Sequence, residues 1–492
     1  MIIAVVAERT ASGVLDAFRQ LAVAHPAGTV MAELRLDAMD APDCDVILGA
    51  PLPVIATCRR EADGGWWNGT EEARFALLQR ALRCGAVMVD IELDVAAHWP
   101  GPRGRKLLVS HHDPVGTPRD CDAIVAAALR HDADKVKLAT KVCSAADVLA
   151  LTRACDAAPG KVVAFGLGAD ALGTRLLFRR MGSPWVYARM RAGTARDKLE
   201  APGLPDLADL CSLYYPDSSL PEPVAAFGLL AEHPASSIGP LVFGRLFRTI
   251  KLPAIYVPLP MQGIGGLREL LKRLNLRGVS VTSPLKEAVL HVADTVHPLA
   301  RAIGAANTLH MQDGKLHAWN TDYYGVREVM LDALGDDMTR GAALVVGAGG
   351  AARAAALALL QLGFEVTVTN RSMERAERVA ADLGVRAAAA IDAAPRVIVN
   401  ATPAGGSRAS GVLPVPERLL AQGQILFDMN YRPRETALLR AGRSRGAMLL
   451  GGERMYAVQA AHQMHIWWGH LPDVTRHVKE AVTWALRERP SF

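Results

Sequence analysis

Short apolar runs, rich in β-branched residues, recur throughout the first 190 residues of the chain. Each has the length of a buried strand, and amphipathic stretches such as Glu71–Leu82 and Asp120–Leu129 predict helices between them. Eight strands that alternate with helices predict an α/β unit of the (β/α)8 TIM barrel type, with an open doubly wound sheet as the alternative. The predicted strands are Ile2–Ala7, Val30–Leu36, Val54–Cys58, Met88–Leu93, Leu107–Ser110, Lys135–Ala139, Val162–Phe165 and Trp185–Met190.

Charged residues alternate with apolar ones in two of these strands. Glu33, Arg35 and Asp37 share one strand face. Asp90, Glu92 and Asp94 repeat the pattern. Inward charges are tolerated near a solvated mouth, and barrel active sites lie at the carboxyl-terminal mouth. The pattern therefore predicts an active site there, with an exposed strand edge as the alternative.

Lys137 lies within the predicted strand Lys135–Ala139. Its apolar neighbours predict a lowered pKa and therefore a nucleophilic amine. His112 ends the preceding strand, so we expect it at the same mouth as a general acid and base. A paired lysine and a structural histidine are the alternatives.

The second half contains a predicted strand, a glycine-rich turn and a helix in immediate succession from Ala343 to Leu362. This order predicts a pyrophosphate held at a helix N-terminus. The next strand ends in basic and polar residues instead of the acidic residue that holds a free ribose 2′-hydroxyl, which favours NADP. The predicted cofactor-binding residues are Gly347, Gly349, Gly350, Ala351, Asn370, Arg371, Ser372 and Arg375.

Composition narrows the class of protein. The net charge of +5 is spread along the chain, which argues against nucleic acid as a partner. Seven cysteines, all in the first half, lack metal-ligand spacing, so we expect no metal and a reducing compartment. The chain start lacks a basic leader, and no apolar run approaches the roughly 18 residues of a membrane span. We therefore expect a cytoplasmic protein that does not bind membranes.

Four motifs in residues 1–220 resemble type I 3-dehydroquinate dehydratase. They are Glu33–Asp37, Thr57–Arg59, Ser110–Asp113 and Asp134–Thr140. The resemblance implies that Lys137 forms a Schiff base with the substrate ketone and that His112 is the general acid and base. It also implies that Glu33, Arg35, Arg59 and Arg175 bind the substrate.

Two departures from that family's pattern bear on activity. Asp63 stands where the family usually has glutamate, and its shorter side chain predicts a loss of contact with His112. In the lid loop, Glu200 and Leu204 replace a serine and a glutamine. We expect Glu200 to repel an anionic substrate.

Motifs across residues 223–492 resemble shikimate dehydrogenase, a two-lobed fold with an α/β substrate lobe and a Rossmann NADP lobe. They are Ser280–Lys286, Gly304–Thr308, Asn320–Asp322, Asn400–Pro403 and Met455–Gln459. The resemblance implies that Lys286 and Asp322 are the catalytic pair. It assigns substrate binding to Ser237, Thr282, Asn307, Tyr431 and Gln459, and adds Thr402 to the cofactor site.

The carboxylate-binding loop departs from that family. Gly239 stands where the family has the second serine of Ser-x-Ser, and Ser280 replaces the usual asparagine. Gly239 removes one hydroxyl donor and opens space beside the ring carbon that carries the acid, where quinate has an additional hydroxyl. We therefore expect this half to accept quinate or dehydroquinate alongside shikimate or in its place.

The product of the first reaction, 3-dehydroshikimate, is the substrate of the second. The sequence thus predicts a bifunctional enzyme of aromatic amino-acid biosynthesis, with a barrel at 1–222, a substrate lobe at 223–325 completed by 455–492, and an NADP lobe at 326–454. The alternatives are a quinate/shikimate dehydrogenase with an impaired barrel and a non-catalytic metabolite sensor. The oligomeric state and channelling between the sites stay open.

Overall fold

The computed structural model describes residues 1–102, 104–191, 203–214, 224–407 and 409–487. Glu200 and the expected boundary near residue 222 lie outside these ranges. Within them, none of the helices combines the length and the apolar character needed to cross a bilayer.

Eight parallel strands form the first sheet, and each coincides with a predicted strand. They pair in the order β7-β6-β5-β4-β3-β2-β1-β8, so the first strand lies beside the last and the sheet curls into a TIM-like barrel. Among the described residues β7 and β8 form no ladder, but the rings of Phe165 and Tyr187 approach to 5.6 Å across that gap. The strands are β1 (Ile2–Val6), β2 (Val30–Arg35), β3 (Val54–Thr57), β4 (Met88–Glu92), β5 (Gly104–Asp113), β6 (Ala133–Lys141), β7 (Val162–Leu167) and β8 (Val186–Met190).

Helices pack outside the barrel, and the first four begin at polar caps. The Thr10, Thr70 and Asp120 side chains each accept a backbone N–H of the first turn, and Ser144 forms a capping box with Asp147. The helices are α1 (Ala11–Ala24), α2 (Glu71–Arg83), α3 (Cys121–Leu129), α4 (Ala145–Ala157), α5 (Leu172–Leu176), α6 (Phe178–Met181) and α7 (Leu207–Asp209).

A mixed six-stranded sheet follows, in the order β10-β9-β11-β13-β14-β12. Its strands are β9 (Ala225–Ala231), β10 (Ala254–Pro260), β11 (Leu276–Val281), β12 (Thr295–Val296), β13 (Thr308–Gln312) and β14 (Lys315–Trp319). Its helices are α8 (Gly239–Thr249), α9 (Leu267–Arg273) and α10 (Pro298–Ile303).

The third sheet is parallel, in the order β17-β16-β15-β18-β19-β20, and is doubly wound. The strand order reverses between β15 and β18, which is where such sheets bind ligands. Trp467 Nε1 donates to Leu309 O at 3.0 Å, so the C-terminal helices return to the second sheet. The elements are α11 (Asp322–Leu334), β15 (Ala342–Val346), α12 (Gly350–Gln361), β16 (Glu365–Thr369), α13 (Met373–Leu383), β17 (Arg386–Ala387), β18 (Val397–Asn400), β19 (Ile425–Asp428), α14 (Ala437–Arg443), β20 (Met448–Gly451), α15 (Gly452–Trp468) and α16 (Val474–Ala485).

The barrel and the second sheet share one continuous apolar core. Helix α5 packs on β10 so closely that a Cβ on Gly173 would lie 2.0 Å from the Pro258 carbonyl oxygen. Asp170, in the loop after β7, accepts the Ala235 N–H at 2.9 Å. The carboxyl-terminal mouth of the barrel therefore contacts the segment that leads to Ser237.

Candidate active sites

Lys137 lies on β6 inside the barrel with 4% of its surface exposed. Its Nζ lies 3.2 Å from Glu33 Oε1, contacts the Asp90 carboxylate, and stands 4.6 Å from the centre of the Tyr187 ring. Burial alone would lower the pKa of Lys137, but Asp90 and Glu33 outweigh it and hold that pKa above its ordinary value. The prediction of a lowered pKa was wrong, because carboxylates from β2 and β4 surround the amine.

Arg59 shares these carboxylates. Its guanidinium bonds Asp90 Oδ2 at 2.9 Å and Glu92 Oε1 at 2.6 Å, and it donates to Ser110 Oγ at 2.9 Å. The alternating charges of the predicted strands therefore form a buried ion network, except for Asp94, which is exposed and pairs with Arg60 at 3.0 Å. Because each charge has a partner, the network offsets part of its desolvation cost.

Arg175, on α5, is a buried cation with 1% of its surface exposed. Its Nε and Nη1 have no hydrogen-bond partner among the described residues, and its guanidinium carbon lies 4.1 Å from the centre of the Phe165 ring. Burial lowers the pKa of Arg175 to about 9, so the side chain still carries its charge at neutral pH. An unpaired buried cation that faces a cavity is suited to an anionic ligand.

His112 is the penultimate residue of β5 and lines the same cavity. Burial, together with the charges of Arg59 and Lys137, holds the pKa of His112 well below its ordinary value, so the imidazole is neutral at neutral pH. Asp63 also lines the cavity, but it pairs with Arg60 Nε at 2.6 Å, and no hydrogen bond joins it to His112 within the described ranges.

The remaining predicted barrel residues lie around this cavity. Arg35 forms a two-pronged bond with Asp37 at 3.0 and 2.7 Å, and Leu204 packs into the apolar cluster inside the barrel. The structure thus brings six predicted residues together on one cavity wall: Glu33, Arg35, Arg59, His112, Lys137 and Arg175.

A second cavity lies between the second and third sheets. Lys286 Nζ lies 2.5 Å from Asp322 Oδ2, and Asn307 Nδ2 donates to Asp322 Oδ1 at 2.9 Å and to Gln459 Oε1 at 3.2 Å. This chain of contacts fixes the orientation of the Lys286–Asp322 pair. The predicted residues that line the cavity are Ser237, Thr282, Lys286, Asn307, Asp322, Ala351, Tyr431 and Gln459.

The glycine-rich turn between β15 and α12 contacts Lys286 directly. A Cβ on Gly350 would lie 2.9 Å from Lys286 Cβ and 3.0 Å from Ala305 Cβ. Gly347 has a φ of +124°, a conformation that favours glycine, and Gly349 caps the helix. The N-terminus of α12 and the Lys286–Asp322 pair therefore face one another.

A third cavity lies beside the end of β16. Arg371 and Arg375 are exposed there and form no ion pair with any residue that the structure describes. Free guanidinium groups beside a helix N-terminus fit a nucleotide that carries a phosphate in addition to its pyrophosphate. The predicted residues on this wall are Asn370, Arg371, Ser372, Arg375 and Thr402.

Sequence reasoning missed a polar group in the second cavity. Tyr256 Oη donates to Ser280 Oγ at 2.7 Å, and Ser280 Oγ donates to Gln463 Oε1 at 2.8 Å. Tyr456 lines the same cavity from α15. Tyr456, Gln459 and Gln463 lie three and four residues apart, so they share one face of α15. This helical spacing was the signal in the sequence by which the group could have been found.

Gly239 does not open the space that its sequence predicted. The residue is buried, and the point where its Cβ would stand lies 3.3 Å from both Ser237 Oγ and Tyr456 Oη. The expectation of open space beside Gly239 was wrong, because a side chain more than 200 residues away in the chain fills it.

Three family models match the chain. Type I 3-dehydroquinase matches residues 5–221, the shikimate dehydrogenase substrate binding domain matches residues 229–309, and shikimate / quinate 5-dehydrogenase matches residues 330–402.

One relative covers nearly the whole chain. The bifunctional 3-dehydroquinate dehydratase/shikimate dehydrogenase of Arabidopsis thaliana, a chloroplastic protein, is 30% identical over 484 residues, which cover 91% of this chain and 79% of that protein. The chain belongs to this bifunctional family.

Other relatives match the second half of the chain. A shikimate dehydrogenase (NADP(+)) of Ignicoccus hospitalis is 37% identical over 254 residues, which cover 50% of this chain and 94% of that protein. A crystal structure of shikimate dehydrogenase in complex with NADP+ superposes with a TM-score of 0.50 at 27% identity, and covers 55% of this chain and 98% of that one.

Proposed function

We propose that this chain dehydrates 3-dehydroquinate to 3-dehydroshikimate in its barrel and then reduces that product to shikimate with NADPH. One observation carries the proposal: Lys137 shares a cavity with Arg175, whose Nε and Nη1 bond none of the described residues, while the Lys286–Asp322 pair abuts a dinucleotide-binding turn. The family names of the matching models and relatives support both steps.

In the barrel, the Lys137 amine adds to the substrate ketone and water leaves, which forms an imine. His112 removes a proton from the adjacent carbon, and the electron pair moves into the imine. The hydroxyl on the next carbon leaves as water with that proton. Hydrolysis of the imine releases 3-dehydroshikimate and restores the amine, while Arg175 holds the substrate carboxylate.

In the second cavity, Lys286 donates a proton to the ketone oxygen as negative charge develops on it. Asp322, 2.5 Å from Nζ, holds the ammonium in place, and Asn307 orients Asp322. NADPH supplies the hydride when it is bound. Arg371 and Arg375 would hold its additional phosphate.

We further infer the division into a barrel at 1–222, a substrate lobe at 223–325 with 455–492, and an NADP lobe at 326–454. The proposed ligands are the small acids 3-dehydroquinate, 3-dehydroshikimate and shikimate. The cytoplasm is the proposed compartment, although the Arabidopsis relative is chloroplastic.

The test supplies the full chain with 3-dehydroquinate and NADPH and identifies products by chromatography. We expect shikimate, no product from Lys137→Met, and accumulated 3-dehydroshikimate from Lys286→Met. Borohydride added with substrate should fix a covalent adduct on Lys137. An unmodified Lys137, or a wild-type chain that forms no shikimate, would refute the proposal.

A second candidate is a quinate/shikimate dehydrogenase with an impaired barrel. The pairing of Asp63 with Arg60 favours it, because this pair leaves His112 without a carboxylate at that position. Quinate as the product of the same assay would support this candidate. A non-catalytic sensor would yield neither product.

A further inference from the structure

The wall of the second cavity beside Gly239 is formed by hydroxyl groups. Ser237 Oγ accepts the Gly239 N–H at 3.1 Å, and its own O–H donates to none of the described residues, so this O–H is available to a ligand in the cavity. Tyr456 Oη faces the same small volume, since both oxygens lie 3.3 Å from the point where a Cβ on Gly239 would stand.

Gln459 Nε2 donates to the backbone carbonyl of Tyr456 at 3.2 Å, while the Tyr456 hydroxyl bonds none of the residues that the structure describes. Its ring is held against Tyr431, with centroids 5.4 Å apart at 71°. Burial, with the neighbouring Tyr256 and Tyr431, raises the pKa of Tyr456 well above its ordinary value, so it stays an O–H donor at neutral pH. A bound anion can accept a hydrogen bond from a donor that is held in place on a cavity wall in this way.

We propose that Tyr456 Oη replaces the missing serine hydroxyl at position 239, so that Ser237 and Tyr456 together bind the substrate carboxylate and leave no room for a second substituent on the carbon that carries it. This inference rests on the proposed function. It assigns the specificity of the dehydrogenase to the pair Gly239 and Tyr456, and it predicts that the site prefers shikimate and excludes quinate.

The test measures shikimate oxidation and quinate oxidation by the full chain with saturating NADP+. Tyr456→Phe keeps the ring and removes the hydroxyl. We expect it to raise the KM for shikimate about tenfold with little change in kcat, since a hydrogen bond to a charged group is lost in ground state and transition state alike. Tyr324→Phe, a tyrosine stacked on His462 outside the cavity, is the matched control and should leave both constants unchanged.

The double variant supplies the decisive comparison. Gly239→Ser alone crowds two oxygens at 3.3 Å and should also raise the KM. Gly239→Ser with Tyr456→Phe restores a serine hydroxyl and removes one of the two crowding oxygens, so its KM should fall below that of either single variant. A tyrosine with only a structural role would give additive losses instead.

Quinate provides the second readout. The wild-type chain should turn over quinate at least about 100-fold less efficiently than shikimate, and Tyr456→Ala should narrow that ratio. An unchanged shikimate KM in Tyr456→Phe, additive losses in the double variant, or equal use of quinate by the wild type would each overturn the inference. A wild type that does not oxidise shikimate would instead refute the proposed function.

Discussion

At the scale of single residues, the protonation state of Lys137 in the barrel needs an explanation. An amine must lose its proton before it can attack a ketone, yet Asp90 and Glu33 stabilise the ammonium form. The neutral imidazole of His112 shares the cavity and is a suitable acceptor for protons during the reaction. In the proposed mechanism the same carboxylates also stabilise the cationic imine, so one arrangement serves both states.

Replacement of Asp90 should therefore shift the pH dependence of the dehydratase. Loss of its negative charge destabilises the Lys137 ammonium and lowers the pKa of the amine, so the free amine becomes available at lower pH. In Asp90→Asn the rising limb of kcat/KM should move to lower pH by at least about one pH unit. Rates measured from pH 5 to 11 test this shift.

Asp134→Asn is the control for that shift, because Asp134 lies near the N-terminal end of β6 and pairs with Lys135. Its profile should match the wild type. A profile for Asp90→Asn that moves to higher pH, or stays in place, would mean that Asp90 does not set the protonation of Lys137.

At the scale of elements, the glycine-rich turn before α12 is constrained on two sides. It must leave room for a pyrophosphate at the helix N-terminus, and it must also pack against Lys286 on the other side. Gly350 meets both requirements because it has no side chain. The turn therefore couples the proposed cofactor site to the Lys286–Asp322 pair by direct contact.

Gly350→Ala should impair the dehydrogenase selectively. The added methyl would lie 2.9 Å from Lys286 Cβ, so Lys286 or the turn must shift, which should disturb the pairing of Lys286 with Asp322. We expect the kcat for shikimate oxidation to fall about tenfold to a hundredfold, while the dehydratase rate of the same protein stays unchanged. Gly265→Ala, where a Cβ meets nothing within 4 Å, is the matched control. A normal kcat in Gly350→Ala would show that the contact does not position Lys286.

The same scale shows what the sequence could predict. Periodicity located all eight barrel strands, and the motif order located the nucleotide turn, because both signals are local in the chain. The environment of Lys137 depends on Glu33 and Asp90, which only the closed sheet brings to it. The space at Gly239 likewise depends on Tyr456, which a returning helix supplies. Local patterns carry no information about either contact.

At the scale of the whole molecule, the two halves share a core. Arg273 of α9 pairs with Asp156 of α4 at 2.6 Å, and Arg180 of the barrel donates to the Leu274 and Asn275 carbonyl groups. Helix α5 lies on β10 and carries Arg175 into the barrel cavity. The second sheet therefore supports Arg175, a residue of the proposed dehydratase site.

Gly173→Ala should reveal this support. A methyl at Gly173 would meet the Pro258 carbonyl oxygen at 2.0 Å, and backbone on both sides of the contact resists movement. We expect overpacking to cost about 1–3 kcal/mol of unfolding free energy. It should also displace α5, so the KM for 3-dehydroquinate should rise through Arg175, two residues further along, while shikimate oxidation changes less. Thermal unfolding and separate assays of the two reactions measure these effects.

Gly116→Ala, whose Cβ would meet nothing within 4 Å, is the control for a glycine substitution in the barrel. If Gly173→Ala lowers stability but leaves the KM for 3-dehydroquinate unchanged, the contact joins the halves without positioning Arg175. If both effects appear, separation of the halves by truncation should weaken substrate binding in the barrel for the same reason.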